Sequence, residues 1–289
     1  MKIDIGGTGV ALVTPMCENG SIDYKGLLRL LQHTGGHVDY WVVMGTTGES
    51  VTLSQKEKWD VLSFVKDNNP DNIPVIYGIG GNNTQKLEEE IAHTDLSGVS
   101  AVLSVSPYYN RPSQAGLISH YTKLADISPL PLILYNVPGR TGVNITADTT
   151  LHLAQHVNIL GTKEASGNLE QAMKIIADKP EDFQVISGDD LLTLPLISLG
   201  ATGVISVLAN AYPQLFSELV TAGRTGDLGL AQKQVYKFLK LNPLMYLESN
   251  PVGVKQVLHE LGICGNHVRL PLVPASEALA DEIKKSMPA

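Results

Sequence analysis

An α/β fold built from eight strand-helix units, followed by a C-terminal helical appendage, is what the sequence predicts. Three observations carry this prediction. Short apolar runs rich in β-branched residues recur about every 20 to 30 residues over the first 225 positions. Helix-like segments alternate with these runs, as is typical of a parallel sheet. After Gly226 the alternation stops, and only helical spacing follows.

The eight predicted strands share one composition. Each is rich in Val, Ile and Leu, alternates little between apolar and polar residues, and is bounded by Gly, Pro, Asn or Asp, as expected for parallel strands buried on both faces. In chain order they are GVALVTP from Gly9, YWVVMG from Tyr40, IPVIYGIGG from Ile73, SAVLSVSP from Ser100, LPLILYNVP from Leu130, NILGTKEA from Asn158, FQVISGDD from Phe183 and TGVISVLAN from Thr202.

Eight helices are predicted between and after these strands. The second one opens with SQKE, a capping-box pattern in which Glu57 follows Ser54 by three residues. The predicted helices cover residues 23–31, 54–65, 84–96, 113–125, 146–156, 169–177, 190–199 and 213–222. Eight strand-helix units in series favour a closed (β/α)8 TIM barrel, and an open doubly wound sheet remains the alternative.

Two regions are therefore expected. Residues 1–225 are expected to form the (β/α)8 barrel, and residues 226–289 a helical region that packs on the barrel. Within this second region, the apolar spacing predicts helices over residues 228–246, 252–261 and 274–285.

Composition excludes several classes of partner and compartment. The 289 residues are 43% apolar and carry a formal net charge of −8 without a long basic run, so nucleic acid and anionic membrane are poor candidate partners. Two cysteines, Cys17 and Cys264, lack CxxC spacing, which suits a reducing compartment. Neither a signal peptide nor an apolar stretch of about 18 residues is evident, so we expect a cytoplasmic protein.

In such a barrel, chemistry belongs at the C-terminal ends of the strands. Polar and reactive residues follow five of the predicted strands: GTTGES, SPYYNRP, YNVPGRTG, TKEASGN and SGDD. Of the sixteen lysines, Lys163 alone lies in a β-like apolar run. The sequence therefore directs attention to Lys163.

Two interpretations of Lys163 are open. In the first, it is a partly exposed residue at the end of a strand, paired with Glu164. In the second, it is an amine desolvated in the barrel mouth, where the neutral form attacks a carbonyl. Adjacent side chains on a strand point to opposite faces, so an inward Lys163 excludes Glu164 as its close partner.

Neighbouring strands would supply proton-transfer groups to an inward lysine. Strand five would deliver the phenol of Tyr135, and strand two the hydroxyls of Thr46 and Thr47. A Schiff-base site is therefore plausible on geometry alone. No metal site is expected, because His152 and His156 have helical i, i+4 spacing without an HExxH frame or a convergent carboxylate.

The segments GTTGES, SPYYNRP, YNVPGRTG, GTKEASGN and GVISVLAN, in this order and at these separations, resemble the 4-hydroxy-tetrahydrodipicolinate synthase (dihydrodipicolinate synthase) family of pyruvate-dependent class I aldolases. The resemblance spans essentially the whole chain, including SNPVGVK and RLPLVP in the C-terminal region. It implies that pyruvate and L-aspartate 4-semialdehyde are the substrates, with pyruvate bound covalently and no cofactor.

The resemblance also implies roles for individual residues. Lys163 matches the lysine that forms the Schiff base, and Tyr135 the tyrosine that donates and accepts protons. Thr46 and Tyr109 match the residues that complete the proton relay. In the family the residue at the position of Tyr109 comes from a neighbouring subunit, which implies at least a dimer, usually within a homotetramer arranged as a dimer of dimers. A plain role for Tyr109 in packing an interface is compatible with this expectation.

Four further positions match substrate-binding residues. Thr47 would hold the pyruvate carboxylate, and Gly188 and Ile205 would contribute backbone groups near the imine. Arg140, whose planar guanidinium suits a carboxylate, would bind the semialdehyde. Taken alone, Gly188 reads as a turn glycine and Arg140 as a solvated loop residue.

Two other functions compete with this one. N-acetylneuraminate lyase and keto-deoxy sugar acid aldolases share the lysine, the tyrosine and the GTTGE loop, and Arg140 is the feature that discriminates against them. A catalytically silent barrel that binds a small molecule is a more remote alternative. Retention of the lysine, the tyrosine and the relay residues together argues against it.

One departure from the family pattern concerns regulation. Many bacterial members are inhibited by L-lysine at the subunit interface, and here Asn82 and Tyr108 of that site are retained. Lys86, however, occupies the position of a glutamate, while Gln55 and Lys58 occupy positions that are often histidines. A cation where the ligand's ammonium group should be received opposes binding. We therefore expect weak inhibition or none.

Overall fold

The computed structural model describes residues 4–288, which form a closed barrel of eight parallel strands at its centre. Neighbours in the barrel are neighbours in sequence, and the first strand pairs with the last. The strands are β1 Gly7–Ala11, β2 Tyr40–Val43, β3 Val75–Gly78, β4 Ala101–Val105, β5 Leu132–Asn136, β6 Ile159–Glu164, β7 Gln184–Ser187 and β8 Gly203–Ser206. All eight predicted strands are confirmed, and the closed barrel excludes the open sheet.

In the described part of the chain, nine α-helices surround the barrel or cover its mouth. They are α1 Tyr24–Thr34, α2 Gln55–Asp67, α3 Thr84–His93, α4 Gln114–Ile127, α5 Pro138–Thr141, α6 Ala147–Leu153, α7 Leu169–Asp178, α8 Thr193–Ser198 and α9 Pro213–Thr225. The capping box at the start of α2 is present: Ser54 Oγ accepts from the Glu57 N–H at 3.3 Å, and a Glu57 carboxylate oxygen accepts from the Ser54 N–H at 2.8 Å. The short α5 was not predicted.

The C-terminal region, as far as residue 288, contains four more helices: α10 Leu228–Tyr236, α11 Leu241–Leu247, α12 Val252–Glu260 and α13 Glu277–Ser286. A single helix was predicted over residues 228–246, and that prediction was wrong. Pro243 lies in the first turn of α11, where a missing N–H is tolerated, whereas inside one long helix it would remove a backbone hydrogen bond. The outer limits predicted for the two regions, residues 1 and 289, lie outside the described residues.

Apolar side chains form two layers around the strands. The outer layer joins the strands to the helices, and the inner layer fills the barrel with side chains such as Tyr40, Ile76, Ile133, Ile186 and Ile205. The barrel interior is therefore packed below the mouth, which confines open space to the loops beyond the strand ends. Within residues 4–288, no helix combines the length and the apolar character needed to cross a membrane.

Candidate active site

A β-bulge between β5 and β6 determines which residues of β6 face the barrel interior. Leu132 pairs with Ile159, but the next residue, Ile133, pairs with Gly161, so Leu160 is an extra residue without a partner. Side chains alternate along a strand, and one extra residue reverses the alternation beyond it. As a result Lys163 pairs with Tyr135 and faces inward with it.

Lys163 is buried without a carboxylate partner. Its side chain is 5% exposed, and its Nζ lies 4.4 Å from the centroid of the Tyr135 ring. Among residues 4–288, no Asp or Glu oxygen lies within ion-pairing distance of this amine. The interpretation of Lys163 as half of an ion pair with Glu164 is therefore wrong, because the two side chains lie on opposite faces of β6.

Glu164 is held on the outer face of the barrel. Its carboxylate accepts hydrogen bonds from Asn136 Nδ2 at 3.1 and 3.2 Å, from Gln171 Nε2 at 3.1 Å and from the Ser166 N–H at 2.8 Å. These donors lie on β5, on α7 and in the loop between β6 and α7. These hydrogen bonds hold β6 from its outer face and satisfy the buried Glu164 carboxylate without involving Lys163.

A second buried lysine, Lys255 on α12, was missed by the sequence analysis. It is fully buried, contacts the Glu49 carboxylate directly and donates to the His267 carbonyl at 2.8 Å. Lys255 thus has the partners that a structural buried charge needs, whereas among residues 4–288 the Lys163 amine has no hydrogen-bond or ion-pair partner. This contrast marks Lys163 as the lysine that is free to react.

The loop after β2 carries the two predicted threonines. Residues Thr46–Gly48 form a 3-10 turn at the barrel mouth, with Thr46 facing a cavity and Thr47 buried beside it. Thr47 Oγ1 accepts a hydrogen bond from Asn250 Nδ2 at 3.0 Å. Glu49, next in the loop, has a φ of 55°, a left-handed conformation that surrounding contacts must hold.

A cavity of about 250 Å³ opens above Tyr135 at the carboxyl ends of β2 to β5. Thr46, Tyr108, Tyr135 and Arg140 all line it. Arg140 is an exposed residue of α5 and makes no ion pair with any residue in the described part of the chain. Its guanidinium is therefore available to a carboxylate in the cavity.

Gly188 lies beside Lys163, and Ile205 lies on β8 in the barrel interior. A Cβ at Gly188 would be 3.1 Å from Lys163 Cε and 2.5 Å from Ala165 Cβ, so this glycine leaves room for the lysine side chain. The Gly188 N–H already donates to the Glu164 carbonyl at 2.8 Å, which leaves its carbonyl as the free backbone group. Ile205 is fully buried in the barrel interior on β8.

Asp189 and Asp190 divide their roles. The sequence predicts a helix from residue 190, but α8 begins at Thr193, and Asp189 accepts from the N–H groups of Leu191 and Leu192, at 3.0 and 3.2 Å, in the turn before it. Asp190 instead turns inward and accepts from the N–H groups of Val207 and Leu208, at 3.2 and 2.8 Å. Burial raises the pKa of Asp190 to about 6, although these bonds favour its charged form.

Tyr109 does not reach the cavity of its own chain. Its side chain is 91% exposed, and its φ of 72° turns the backbone outward. Asn82 and Asn110 brace the loop: Asn82 Nδ2 donates to the Tyr108 carbonyl at 3.1 Å, and Asn110 Nδ2 donates to the Asn82 carbonyl at 3.0 Å. The ring is therefore presented away from the chain that carries it.

Within residues 4–288, no group of three or more His, Cys, Asp or Glu side chains is arranged to hold a metal ion. Of the two histidines with i, i+4 spacing, His156 is engaged elsewhere, because its Nε2 lies 3.0 Å from Asp126 Oδ1.

A closed barrel with an unpaired lysine buried on β6, facing a tyrosine below a cavity with a free arginine, defines a lyase of the class I aldolase type, which forms a Schiff base with a carbonyl substrate. The family model described as the dihydrodipicolinate synthetase family matches residues 4–289. The chain belongs to this family.

Relatives and solved structures agree with this assignment. The chain is 50% identical over 281 residues to 4-hydroxy-tetrahydrodipicolinate synthase of Cytophaga hutchinsonii, covering 97% of this chain and 95% of the relative. A crystal structure of dihydrodipicolinate synthase from Aquifex aeolicus has a TM-score of 0.93 at 39% identity and 97% and 96% coverage. The chloride-inhibited Acinetobacter baumannii enzyme in complex with pyruvate has a TM-score of 0.94, with 39% identity and 98% coverage of each chain.

Proposed function

We propose that this enzyme condenses pyruvate with L-aspartate 4-semialdehyde to give 4-hydroxy-tetrahydrodipicolinate, a step in lysine and diaminopimelate biosynthesis. The observation that carries the proposal is the buried, unpaired amine of Lys163 above the Tyr135 ring. The Cytophaga relative bears the name of this activity at 50% identity.

The chemistry follows from an amine that meets a ketone in a closed site. Lys163 attacks the carbonyl carbon of pyruvate, and loss of water gives an imine. Loss of a methyl proton converts the imine to an enamine, whose carbon attacks the aldehyde of the second substrate. The amino group of the adduct then adds to the imine carbon, and the bond to Lys163 breaks. The lysine supplies the electron sink, so neither a metal nor a cofactor is required.

Proton transfer in these steps is assigned to Tyr135, Thr46 and Tyr109. This assignment is supported by Tyr135 and Thr46, which line the same cavity. Tyr109 lies outside that cavity in its own chain and is almost fully exposed. This placement supports the proposal that Tyr109 completes the relay of a neighbouring subunit. We propose that the assembly is a homotetramer and that it works in the cytoplasm.

Binding of the two carboxylates is assigned to opposite sides of the mouth. Thr47 and the backbone around it hold the carboxylate of pyruvate, while Gly188 and Ile205 supply backbone groups near the imine. Arg140 binds the carboxylate of the semialdehyde, a role supported by its position in the cavity lining and its lack of an ion-pair partner.

The aldehyde acceptor is the test that separates this function from that of the sugar acid aldolases. Purified enzyme should turn over pyruvate with L-aspartate 4-semialdehyde and should not cleave N-acetylneuraminate or keto-deoxy sugar acids. Cleavage of sialic acid without turnover of the semialdehyde would show that another activity of the superfamily is the correct one. Absence of all turnover, with pyruvate bound reversibly, would favour a binding protein.

We also propose that L-lysine inhibits this enzyme weakly or not at all. Lys86 lies exposed in the first turn of α3. Lys58 belongs to the adjacent helix α2, and its Nζ lies 3.7 Å from Glu90 Oε1 of α3. A ligand ammonium group would therefore approach cationic side chains. Half-maximal inhibition below about 1 mM L-lysine in a steady-state assay, an affinity of about 4 kcal/mol or better, would contradict this proposal.

A further inference from the structure

A hydrogen bond joins the barrel mouth to the C-terminal region. Asn250 precedes α12, and its Nδ2 donates to Thr47 Oγ1 at 3.0 Å across 203 positions of sequence. Both residues are buried, with Asn250 6% exposed and Thr47 3% exposed. The bond is shielded from water and adjoins Thr46, which lines the cavity.

The direction of this bond limits what the Thr47 hydroxyl can do. A hydroxyl has one hydrogen to donate and lone pairs with which to accept. Asn250 occupies a lone pair of Thr47 Oγ1, and no other hydrogen bond of that hydroxyl occurs within residues 4–288. Its hydrogen is therefore directed away from Asn250 and is available to an acceptor such as a carboxylate oxygen.

The two segments that carry this bond are also joined nearby. Glu49, two residues after Thr47, contacts Lys255 through one carboxylate oxygen and accepts from the Arg269 N–H at 2.9 Å through the other. The same carboxylate thus ties the loop after β2 to two segments of the C-terminal region, independently of the bond between Thr47 and Asn250. Within residues 4–288 the Asn250 Oδ1 is buried without a hydrogen-bond partner, so the bond to Thr47 is the one hydrogen bond that this amide makes there.

We propose that Asn250 is a positioning residue that orients the Thr47 hydroxyl as a hydrogen-bond donor to the carboxylate of pyruvate. The inference rests on the proposed role of Thr47 in binding that carboxylate. It gives the C-terminal region a part in substrate recognition, because a residue outside the barrel determines which way a barrel-mouth hydroxyl points.

Asparagine and aspartate have nearly the same shape but opposite effects on this hydroxyl. An aspartate carboxylate can only accept, so it would take the hydrogen of Thr47 and place a negative charge behind the substrate carboxylate. Alanine removes the orienting donor and adds no charge. We therefore expect Asn250→Asp to weaken pyruvate binding more than Asn250→Ala does.

The test measures the affinity for pyruvate in four variants: Asn250→Asp, Asn250→Ala, Thr47→Val and the double variant Thr47→Val/Asn250→Ala. The readout is the pyruvate concentration that half-saturates imine formation, and the amount of imine is measured by borohydride trapping. Thr47→Val should raise this half-saturating concentration about 10- to 100-fold, the range for a hydrogen bond to a charged group. Asn250→Ala should raise the concentration several-fold, and Asn250→Asp should raise it about 100-fold. The double variant should raise it no more than Thr47→Val alone does.

Controls separate positioning from stability. Asn242→Ala changes another buried asparagine of the C-terminal region, also 6% exposed, and should leave pyruvate affinity unchanged. Melting temperatures report any loss of structure. If the role of Asn250 is purely structural, its variants should have lower melting temperatures, and Asn250→Asp should not weaken pyruvate binding more than Asn250→Ala does.

The two proposals can fail separately. If Thr47→Val binds pyruvate normally, the assigned role of Thr47 is wrong. If Thr47→Val weakens binding but both Asn250 variants bind normally, or if the losses of Thr47→Val and Asn250→Ala multiply in the double variant, Asn250 does not act through Thr47 and the inference is overturned.

Discussion

Tyr135 and Lys163 are paired residues of adjacent strands, with the Lys163 amine 4.4 Å from the centroid of the Tyr135 ring. The ring covers the amine, and Tyr135 also lines the cavity in which the substrates would meet. One residue thus limits the access of water to the lysine and brings a phenol to the reacting carbonyl. Nearly all of the proposed chemistry follows from this pair.

Replacing Tyr135 with phenylalanine should separate its two roles. The ring would still cover Lys163, but the phenol that moves protons would be lost. We expect kcat to fall about 10²- to 10⁴-fold, the range for a general acid-base group. Borohydride trapping of pyruvate at long incubation should still modify Lys163. Steady-state rates beside the trapped fraction would measure both effects, and unchanged kcat would exclude Tyr135 from proton transfer.

Arg140 should affect the second substrate alone. In Arg140→Met the carboxylate of the semialdehyde loses its charged partner, so its KM should rise about 10- to 100-fold while pyruvate trapping stays unchanged. Arg140→Lys should have a KM for the semialdehyde between those of the parent and Arg140→Met, because an ammonium group keeps the charge but lacks the fork geometry of a guanidinium. Arg224→Met, an exposed arginine at the end of α9, is the matched control. An equal loss for both substrates would contradict the assignment.

The buried pair of Lys255 and Glu49 should be essential to stability. Lys255→Met leaves the Glu49 charge buried without its cation, which costs about 3–5 kcal/mol of unfolding free energy. Adding Glu49→Gln removes that charge, so the double variant should be more stable than the single one. Lys56→Met, at an exposed pair with Asp60, should change stability little. Denaturant unfolding would measure the unfolding free energy of each variant. A double variant less stable than Lys255→Met would contradict this prediction.

His120 should make the fold sensitive to acid. Burial lowers its pKa from 6.5 to about 4, and its Nδ1 lies 2.8 Å from Thr84 Oγ1. Between these pH values the unfolded chain binds the proton and the folded chain does not, so unfolding free energy falls as pH drops from 6.5 to 4. The loss is about 3 kcal/mol by the shift in pKa.

The variant His120→Gln should flatten this dependence, which urea unfolding at several pH values would measure. His93→Gln, at an exposed position of α3, should leave it unchanged. The opposite contribution of Asp190, whose pKa is raised, is common to all three proteins and cancels in the comparison. Identical pH profiles for the parent and His120→Gln would contradict the prediction.

Local sequence patterns were sufficient for the barrel and for most of the mouth. The short apolar runs located all eight strands, and the residues at or beyond their carboxyl ends include Thr46, Tyr135 and Arg140, which line one cavity. Strand ends can be read locally because buried parallel strands are continuous apolar runs. The roles of these residues came from the resemblance to a family, since periodicity carries no chemistry.

Contacts between residues far apart in the sequence could not be predicted from local sequence patterns. Lys255 lies in a helix whose first seven residues are all buried, and its partner Glu49 is 206 positions away. The bulge at Leu160 depends on how β6 pairs with β5, which the sequence of β6 alone does not contain. Asp190 reads as the start of a helix, but its partners Val207 and Leu208 belong to the next strand-helix unit.

Borohydride reduction in the presence of pyruvate, followed by peptide mass mapping, tests the central claim most directly. The enzyme should gain one reduced pyruvate adduct per chain, on Lys163, and Lys163→Ala should gain none. Lys255, buried and fully paired, should stay unmodified in both proteins. An adduct on any other lysine, or an unmodified Lys163 in an active enzyme, would contradict the account.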